Sequence, residues 1–382
     1  MKKILPIIAV VLFTSAFAGY KLIGNRFSLP AQERYQTPAE QKTPPVKNTI
    51  EPAGYGIADT LRIIGVGDMM LGTNFPVSPS YLAPDDGKTL LDPVKNILSA
   101  SDITFGNLEG CILSEGGTPK SCTNPAMCYA FRMPNHYAGY FREAGFDLIS
   151  IANNHIGDFG EAGRRNTVDQ LKGQDIAFAG LSSHPYTIVQ RNGIRYGLCA
   201  FAPNEGTVSI NDLEGARALV KKVDALCDVL IVSFHGGAEG AGYRHITRKN
   251  ELFLGENRGN PYQFARVVID AGADLVFGHG PHVTRAVDIY KNRFIAYSMG
   301  NFATYGRFNL KGPAGIAPIV SVRVSPKGDF IDGQIIPVKQ VGEGGPLPDS
   351  SGAVIQEIIS LTKEDIPECT LRISFDGKIS LK

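Results

Sequence analysis

The chain has 382 residues, 43% of them hydrophobic, and a formal net charge of only +1. That length and apolar content can bury the core of one catalytic-sized domain of about 250–300 residues plus appendages. The near-neutral balance excludes a general nucleic-acid or polyanion binder, which would carry a basic excess, and leaves room only for local patches.

Lys2 and Lys3 precede a fifteen-residue apolar run, Ile4 to Ala18, that ends in Ala16-Phe17-Ala18. A charged start, an apolar middle and small residues at the end are the pattern of an export signal. As a helix the run would rise about 22 Å at 1.5 Å per residue, short of a hydrocarbon core of about 30 Å. Residues 1–24 are therefore expected to be a cleaved signal peptide, with a retained membrane anchor as the alternative. Residues 25–59 are rich in Pro, Gln, Glu, Lys and Thr, too poor in apolar side chains to fold, and are expected to be a disordered tether. The expected location is outside the cytoplasm, in the periplasm or at the outer face of the membrane.

The folded domain is expected over 60–345. Apolar runs recur there, each followed by a tight turn that carries polar donors. Leu61 to Gly67 leads into Asp68; Ile103 to Gly106 precedes Asn107 and Glu109; Phe146 to Ala152 precedes Asn153, Asn154 and His155. Val229 to Phe234 delivers His235, and Ala273 to Gly278 delivers His279 and His282. A strand buried on both faces must be apolar, so chemistry is confined to its end, where the chain turns. Between these runs lie helical stretches at Tyr137–Ala144, Gly163–Lys172, Leu213–Ala225 and Pro261–Ala271, and the alternation predicts an α/β sandwich. After Asn301 come strand-like segments at Ile316–Val324 and Asp332–Val338, expected to complete a second sheet. The final residues, 346–382, are expected to pack on the domain as an extension with a short helix, Gly352–Thr362, and a last strand pair.

Cys111, Cys122 and Cys128 crowd into one Gly/Pro-rich loop, where a disulfide would staple a segment with little core of its own. Cys199 and Cys227 lie in apolar runs and read as small buried hydrophobes. The spacing fits no zinc knuckle.

Asp68, Glu109, Asn154, His235, His279 and His282 are the oxygen and nitrogen donors of a metal-dependent hydrolase, provided the preceding strands lie side by side. Taken alone, any one of these histidines is more simply a hydrogen-bonded structural residue; six donors in order outweigh that reading. Asn153 is expected to form its turn rather than bind. Asn107 either holds the turn or touches substrate.

The segments GVGDMMLG, FGNLEG, GFDLISIANNHIGDFG, SFHGGAE, DAGADLVFGHGPHV and YSMGNF together resemble the CapA family of poly-γ-glutamate capsule synthesis proteins, relatives of the calcineurin-like metallophosphatases. The resemblance runs from about residue 60 to 305. It implies a four-layer α/β/β/α sandwich with one or two divalent cations (Mn, Mg, Zn or Fe) between the sheets, and a role in making, anchoring or trimming an anionic polymer such as poly-γ-glutamate beside the membrane subunits of a capsule synthase. Carried onto this chain, the pattern makes Asp68 and His282 ligands of a first site and Glu109 the bridging carboxylate. Asn154, His235 and His279 become ligands of a second site. His155 then stands outside the metals as proton donor or oxyanion stabiliser, oriented by Asp158. One departure matters: metallophosphatases place a His two residues after the first Asp, and here that residue is Met70, a poor partner for such ions. The first site is expected to be the weaker.

A basic cluster of Arg244, His245, Arg248 and Lys249, with Arg258 and Arg285 on neighbouring loops, offers guanidinium forks that suit carboxylates; the alternative is a solvated face balanced by Glu239, Glu251 and Glu256. Three functions follow. The first is an exported metal-dependent hydrolase or transferase of capsule assembly. The others are a non-catalytic binding or scaffold subunit of the synthase, and a periplasmic phosphodiesterase unrelated to capsule.

Overall fold

The computed structural model describes residues 59–78, 80–122 and 128–382, which belong to one compact unit. The expected signal peptide or anchor and the tether lie outside the described residues.

In chain order come β1 (Leu61–Met70), α1 (Asp92–Leu98), β2 (Ile103–Leu108), α2 (Tyr137–Glu143), β3 (Leu148–Ser150), α3 (Gly160–Gly173) and β4 (Ala177–Ala179). Next are β5 (Tyr186–Arg191), β6 (Ile194–Phe201), α4 (Leu213–Asp224), β7 (Val229–His235), α5 (Pro261–Asp270) and β8 (Leu275–His279). Then follow β9 (Val287–Tyr290), β10 (Arg293–Ala296), β11 (Asn301–Thr304), β12 (Ile316–Val324) and β13 (Phe330–Gln340). The chain closes with β14 (Pro346–Pro348), α6 (Ala353–Asp365), β15 (Leu371–Ile373) and β16 (Lys378–Leu381).

Two sheets result. One has ten strands in the order β15-β16-β13-β12-β1-β2-β3-β4, with β11 also paired to β1 and β14 to β13. The other has six, in the order β9-β10-β8-β7-β6-β5. Within each, the strands that carry the donors run parallel: β1 with β2, β2 with β3, and β7 with β8. The strand segments after Asn301 differ from expectation. They extend the sheet that contains β1, and the second sheet is built entirely from residues 186–296. The reason is register: β12 is antiparallel to β1 over Leu61–Gly65, so the one free edge of β1 is filled from the C-terminal side. Residues 346–382 are likewise part of the same body. β14, β15 and β16 belong to the ten-stranded sheet, and Val354, Ile355, Ile358 and Leu361 of α6 are buried in its core.

The helices start where the sequence supplies caps. Asp212 accepts from the Gly215 backbone N–H at 2.9 Å to open α4, and Asn260 accepts from Gln263 at 3.0 Å with Pro261 in the first turn of α5; each such cap contributes about 1 kcal/mol. The apolar stripes then choose the layer. Val94 and Leu98 of α1, Phe141 of α2 and Leu171 of α3 bury with Val66, Met69 and Ile149 on the outer face of the ten-stranded sheet. Val220 of α4 and Phe264 and Val268 of α5 bury with Leu198, Ile231 and Val276 of the six-stranded sheet. That core continues to Ile63, Ile103 and Phe105, the inner face of the larger sheet. The outcome is a four-layer α/β/β/α sandwich.

The inner faces meet closely. Phe105 stacks on Phe277 with ring centroids 5.5 Å apart, a contact worth about 0.5–1.5 kcal/mol beyond its burial. Gly65 makes room for it, since a Cβ at that position would lie 2.8 Å from the Phe277 ring. Gly65→Ala is therefore expected to destabilise the fold by about 1–3 kcal/mol through overpacking. Denaturant unfolding checks this, and wild-type stability in the variant would show the sheets free to separate.

Candidate metal centre

Strand register brings the donors together. On the larger sheet, Asp68 of β1 is opposite Asn107 of β2 and Asn301 of β11, and Glu109 begins the turn after β2. On the smaller sheet, His235 and His279, the last residues of β7 and β8, are register partners. All therefore sit at the carboxyl ends of parallel strands, where open α/β sheets gather their ligands. His282 follows on a turn with φ +57°, costly for a residue with a side chain. Gly280 precedes it at φ +114°, where a Cβ would lie 2.8 Å from the Gly236 backbone. The two imidazole-bearing turns thus pack backbone to backbone.

Across the gap between the sheets, His282 Nδ1 lies 2.9 Å from Asp68 Oδ2 and His279 Nδ1 lies 3.3 Å from Asp68 Oδ1. His235 Nε2 is 3.3 Å from Glu109 Oε2. One donor atom each from Glu109, His235 and His282 lie within 4.8 Å of one another, and Asp68, Glu109, His235 and His279 are wholly buried. Asn107 Nδ2 donates to Asp68 Oδ1 at 2.9 Å and to Glu109 Oε2 at 2.7 Å. Its role is therefore to fix the two carboxylates.

Electrostatics bind the cluster in the same way. Burial alone would raise the Asp68 carboxyl, yet the His279 imidazole 3.3 Å away and the hydrogen-bonded His282 imidazole hold it well below the ordinary carboxylate range. For Glu109, burial again opposes ionisation, and the His235 imidazole brings the carboxyl down to about 2. Burial would lower His282, but its bond to Asp68 lifts it to about 10. Two buried carboxylates are thus kept charged beside imidazoles, with His282 holding a proton at neutral pH to balance Asp68. A divalent cation would supply that charge in its place and release the proton.

The unpaired atoms fit such an ion. Glu109 Oε1, Asn154 Oδ1 and both ring nitrogens of His235 and of His279 are buried with no hydrogen-bond partner among the described residues. Native proteins leave few buried polar atoms unpaired, and six concentrated on these four side chains mark a place for a ligand that takes lone pairs. Carboxylate oxygen with imidazole nitrogen is a donor set for Zn, Mn or Fe. Met70 is buried in the apolar cluster with Val66 and Leu71, so the position two residues after Asp68 adds no imidazole.

Beside the cluster, the NNH turn is built by Asn153. Its Oδ1 accepts from the backbone N–H groups of His155 and Ile156 at 3.0 and 2.9 Å, and its Nδ2 donates to the Leu108 carbonyl at 2.7 Å. The turn carries Asn154 and His155. Asp158 Oδ2 lies 2.7 Å from His155 Nδ1, which leaves Nε2 to hold or give a proton. The Phe131 ring packs on the imidazole, centroids 4.3 Å apart. Lys120, which nothing in the GTPKSC segment singles out, places its Nζ 2.6 Å from Asp158 Oδ1 and 3.3 Å from His155 Nδ1. The Cys122–Cys128 disulfide begins two residues beyond it, and Cys111, the third cysteine of that loop, is a buried free thiol.

The arginines of the expected basic grip have ion-pair partners within this chain. Arg244 faces Glu357 at 3.4 Å, Arg248 holds Glu368 at 2.7 Å and His245 holds Asp365 at 2.9 Å, so this insertion is tied to α6 and the segment after it. Arg258 is buried against Glu239 at 2.8 Å and Glu256 at 3.0 Å. Each of these guanidinium groups already faces a carboxylate of this chain, and for Arg258 alone the charge balance within the segment, Glu239 and Glu256, was the signal. Arg285 is fully buried and grips Glu251 through two parallel hydrogen bonds of 2.9 and 2.8 Å.

Comparison with known proteins supplies the family. The bacterial capsule synthesis protein family, PGA_cap, matches residues 62–305. Capsule biosynthesis protein CapA of Bacillus anthracis is 25% identical over 355 residues, 87% of this chain and 80% of that protein. PGA biosynthesis protein CapA of Bacillus subtilis is 25% identical over 260 residues, 64% of this chain, and this chain spans 63% of its length. Among solved structures, a purple acid phosphatase from yellow lupin seeds overlaps 76% of this chain and 54% of its own at a TM-score of 0.37 and 11% identity, too distant to carry weight beside the sheets and donors described above. With the family matching well over half of its length and all six donors inside the matched residues, the chain belongs to the bacterial capsule synthesis protein (PGA_cap) family.

Proposed function

We propose that this protein is an exported metal-dependent hydrolase or transferase that acts on an anionic capsule polymer of the poly-γ-glutamate type. The observation that carries the reading is the knot of two buried carboxylates and three imidazoles whose unpaired atoms suit a divalent cation. Such a cation, when bound, polarises the scissile oxygen and acidifies water. The chain's own residues do the rest. Asn107 fixes both carboxylates, Asn153 sets the turn, and His155, steadied by Asp158 and Lys120, gives a proton to the leaving group from Nε2 as the scissile bond breaks. With Met70 where a ligand would complete the first site, we propose one tightly held ion per chain rather than two.

The same Met70 favours a second reading, a scaffold subunit of the synthase that keeps a structural metal and catalyses nothing. Metal content of the purified protein, together with His155→Ala and His235→Ala in a capsule assay, separates the two. The enzyme reading expects one bound ion per chain and loss of capsule processing in both variants. Normal capsule in both removes it, and loss only in His235→Ala leaves the scaffold. Turnover of generic phosphodiesters without a capsule defect points instead to a phosphodiesterase outside capsule assembly.

A further inference from the structure

At the opposite end of β1 from Asp68, the outer face of the ten-stranded sheet carries a row of cations. Arg62 is the register partner of Arg323 on β12, and Arg323 of Asp332 on β13. Two residues along, Gln334 is opposite Lys378 on β16, and Ser380 is opposite Arg372 on β15. Residues directly opposite on antiparallel strands, and residues two apart on one strand, share a face. Arg62, Arg323, Arg372 and Lys378 therefore stand together, and they line one cavity of about 490 Å³. Further along this face Ile64 joins the apolar layer under α1–α3; no helix residue lines the cavity itself.

Charge in the cavity is unbalanced. Arg323 is held by Asp332, its Nε donating at 2.6 Å, and Lys378 lies 3.3 Å from Asp376. Among the described residues, Arg62 and Arg372 have no ion-pair partner. Four cations thus line the cavity against one carboxylate, Asp332, with the hydroxyls of Ser321, Ser374 and Ser380 between them. A single exposed ion pair contributes little, so a lone carboxylate would gain little here. A chain with repeated carboxylates would add several such contacts without a new association cost for each, and guanidinium forks match carboxylate geometry.

From this geometry we propose that the face is an exosite for a polycarboxylate chain, holding capsule polymer away from the metal centre. The inference rests on the reading of the polymer as polyglutamate-like. A concave, hydroxyl-lined surface suits a chain better than a flat lipid surface, although Phe375, 83% exposed in the β15–β16 turn, would insert into one. Six residues at about 3.3 Å each separate Arg62 from Asp68, about 20 Å, so changes here leave the cluster intact.

The test is fluorescence anisotropy with labelled poly-γ-glutamate and the full-length, metal-loaded protein across a salt series. Wild type is expected to bind, with affinity falling as salt rises. Arg62→Glu/Arg372→Glu is expected to weaken binding at least tenfold and flatten the salt dependence with metal content unchanged, and Arg62→Gln/Arg372→Gln serves if the reversal does not fold. His235→Ala is expected to retain binding. Wild-type affinity in the double variant overturns the exosite, as does binding to phosphatidylglycerol vesicles, dependent on Phe375, in a protein that ignores the polymer. The capsule phenotypes of His155→Ala and His235→Ala stand apart from either result, so the exosite can fail while the enzyme reading survives.

Discussion

Glu109→Gln is expected to abolish stoichiometric metal binding, weakening affinity by more than the 10–100-fold typical of residues that only orient ligands. The substitution keeps the shape of the side chain and its place beside Asn107 Nδ2, so the fold should survive. What it removes is the charge that lies against His235 at 3.3 Å and shares the Asn107 amide with Asp68. The measurement is elemental analysis of purified protein together with a thermal shift. At a free cation concentration 100-fold above Kd, binding adds about 2.7 kcal/mol to the folded state. For a body of about 320 residues, with an unfolding entropy of about 0.7 kcal/mol/K, that raises Tm by about 4 °C. Wild type should show the rise, Glu109→Gln should not, and equal metal content in the two proteins would remove Glu109 from the ligand set.

Acidification gives the same cluster a second signature. Protons and cation compete for the imidazoles, and the bond to Asp68 lifts His282 to about 10, so cation affinity is expected to fall as pH drops below about 10, with a proton released when metal is added at neutral pH.

The convergence of these side chains was legible in the sequence because each sits near or just beyond the end of an apolar strand, where only a turn separates core from chemistry. The boundaries confirm the logic: the run from Val229 ends in His235 as the last residue of its strand, and that from Leu275 ends in His279. Long-range partners were not legible. That β12 and β13 would join β1 rather than the smaller sheet depends on which edge is free, a property of the assembled sheets and not of the segments themselves. Lys120 escaped for a similar reason, since it reaches His155 across 35 residues from a loop without periodicity. Local charge balance around Arg258 did hint that its partners would come from within the chain, whereas Glu357, Glu368 and Asp365, the partners of Arg244, Arg248 and His245, lie more than a hundred residues away. The basic face around Arg62 was invisible along the chain because its members are spread from residue 62 to 378 and only strand register aligns them.

Arg285→Met is expected to be the most destabilising single change near the metal centre. Arg285 is buried to 0% exposure, and its two donors meet both oxygens of Glu251, itself 6% exposed. Glu251 Oε2 also accepts from the Ala238 backbone N–H at 2.8 Å, and Arg285 Nη2 reaches the Ala238 carbonyl at 3.3 Å. The pair therefore clamps the turn after His235 to the turn after His282, with Gly237 between them where a Cβ would lie 2.9 Å from Arg285 Nη1. Removing one partner leaves a buried, uncompensated charge, which costs about 3–5 kcal/mol and lowers Tm by about 4–7 °C on the same unfolding entropy. Arg285→Met/Glu251→Leu removes both charges and should recover most of that loss, because burying the pair was itself costly. Metal affinity should respond differently: with the clamp gone in both variants the two turns are no longer tied, and affinity should fall about 10–100-fold in the double as well as the single. Calorimetric unfolding and metal titration of the three proteins distinguish the clamp from a merely structural pair, for which stability and affinity would recover together.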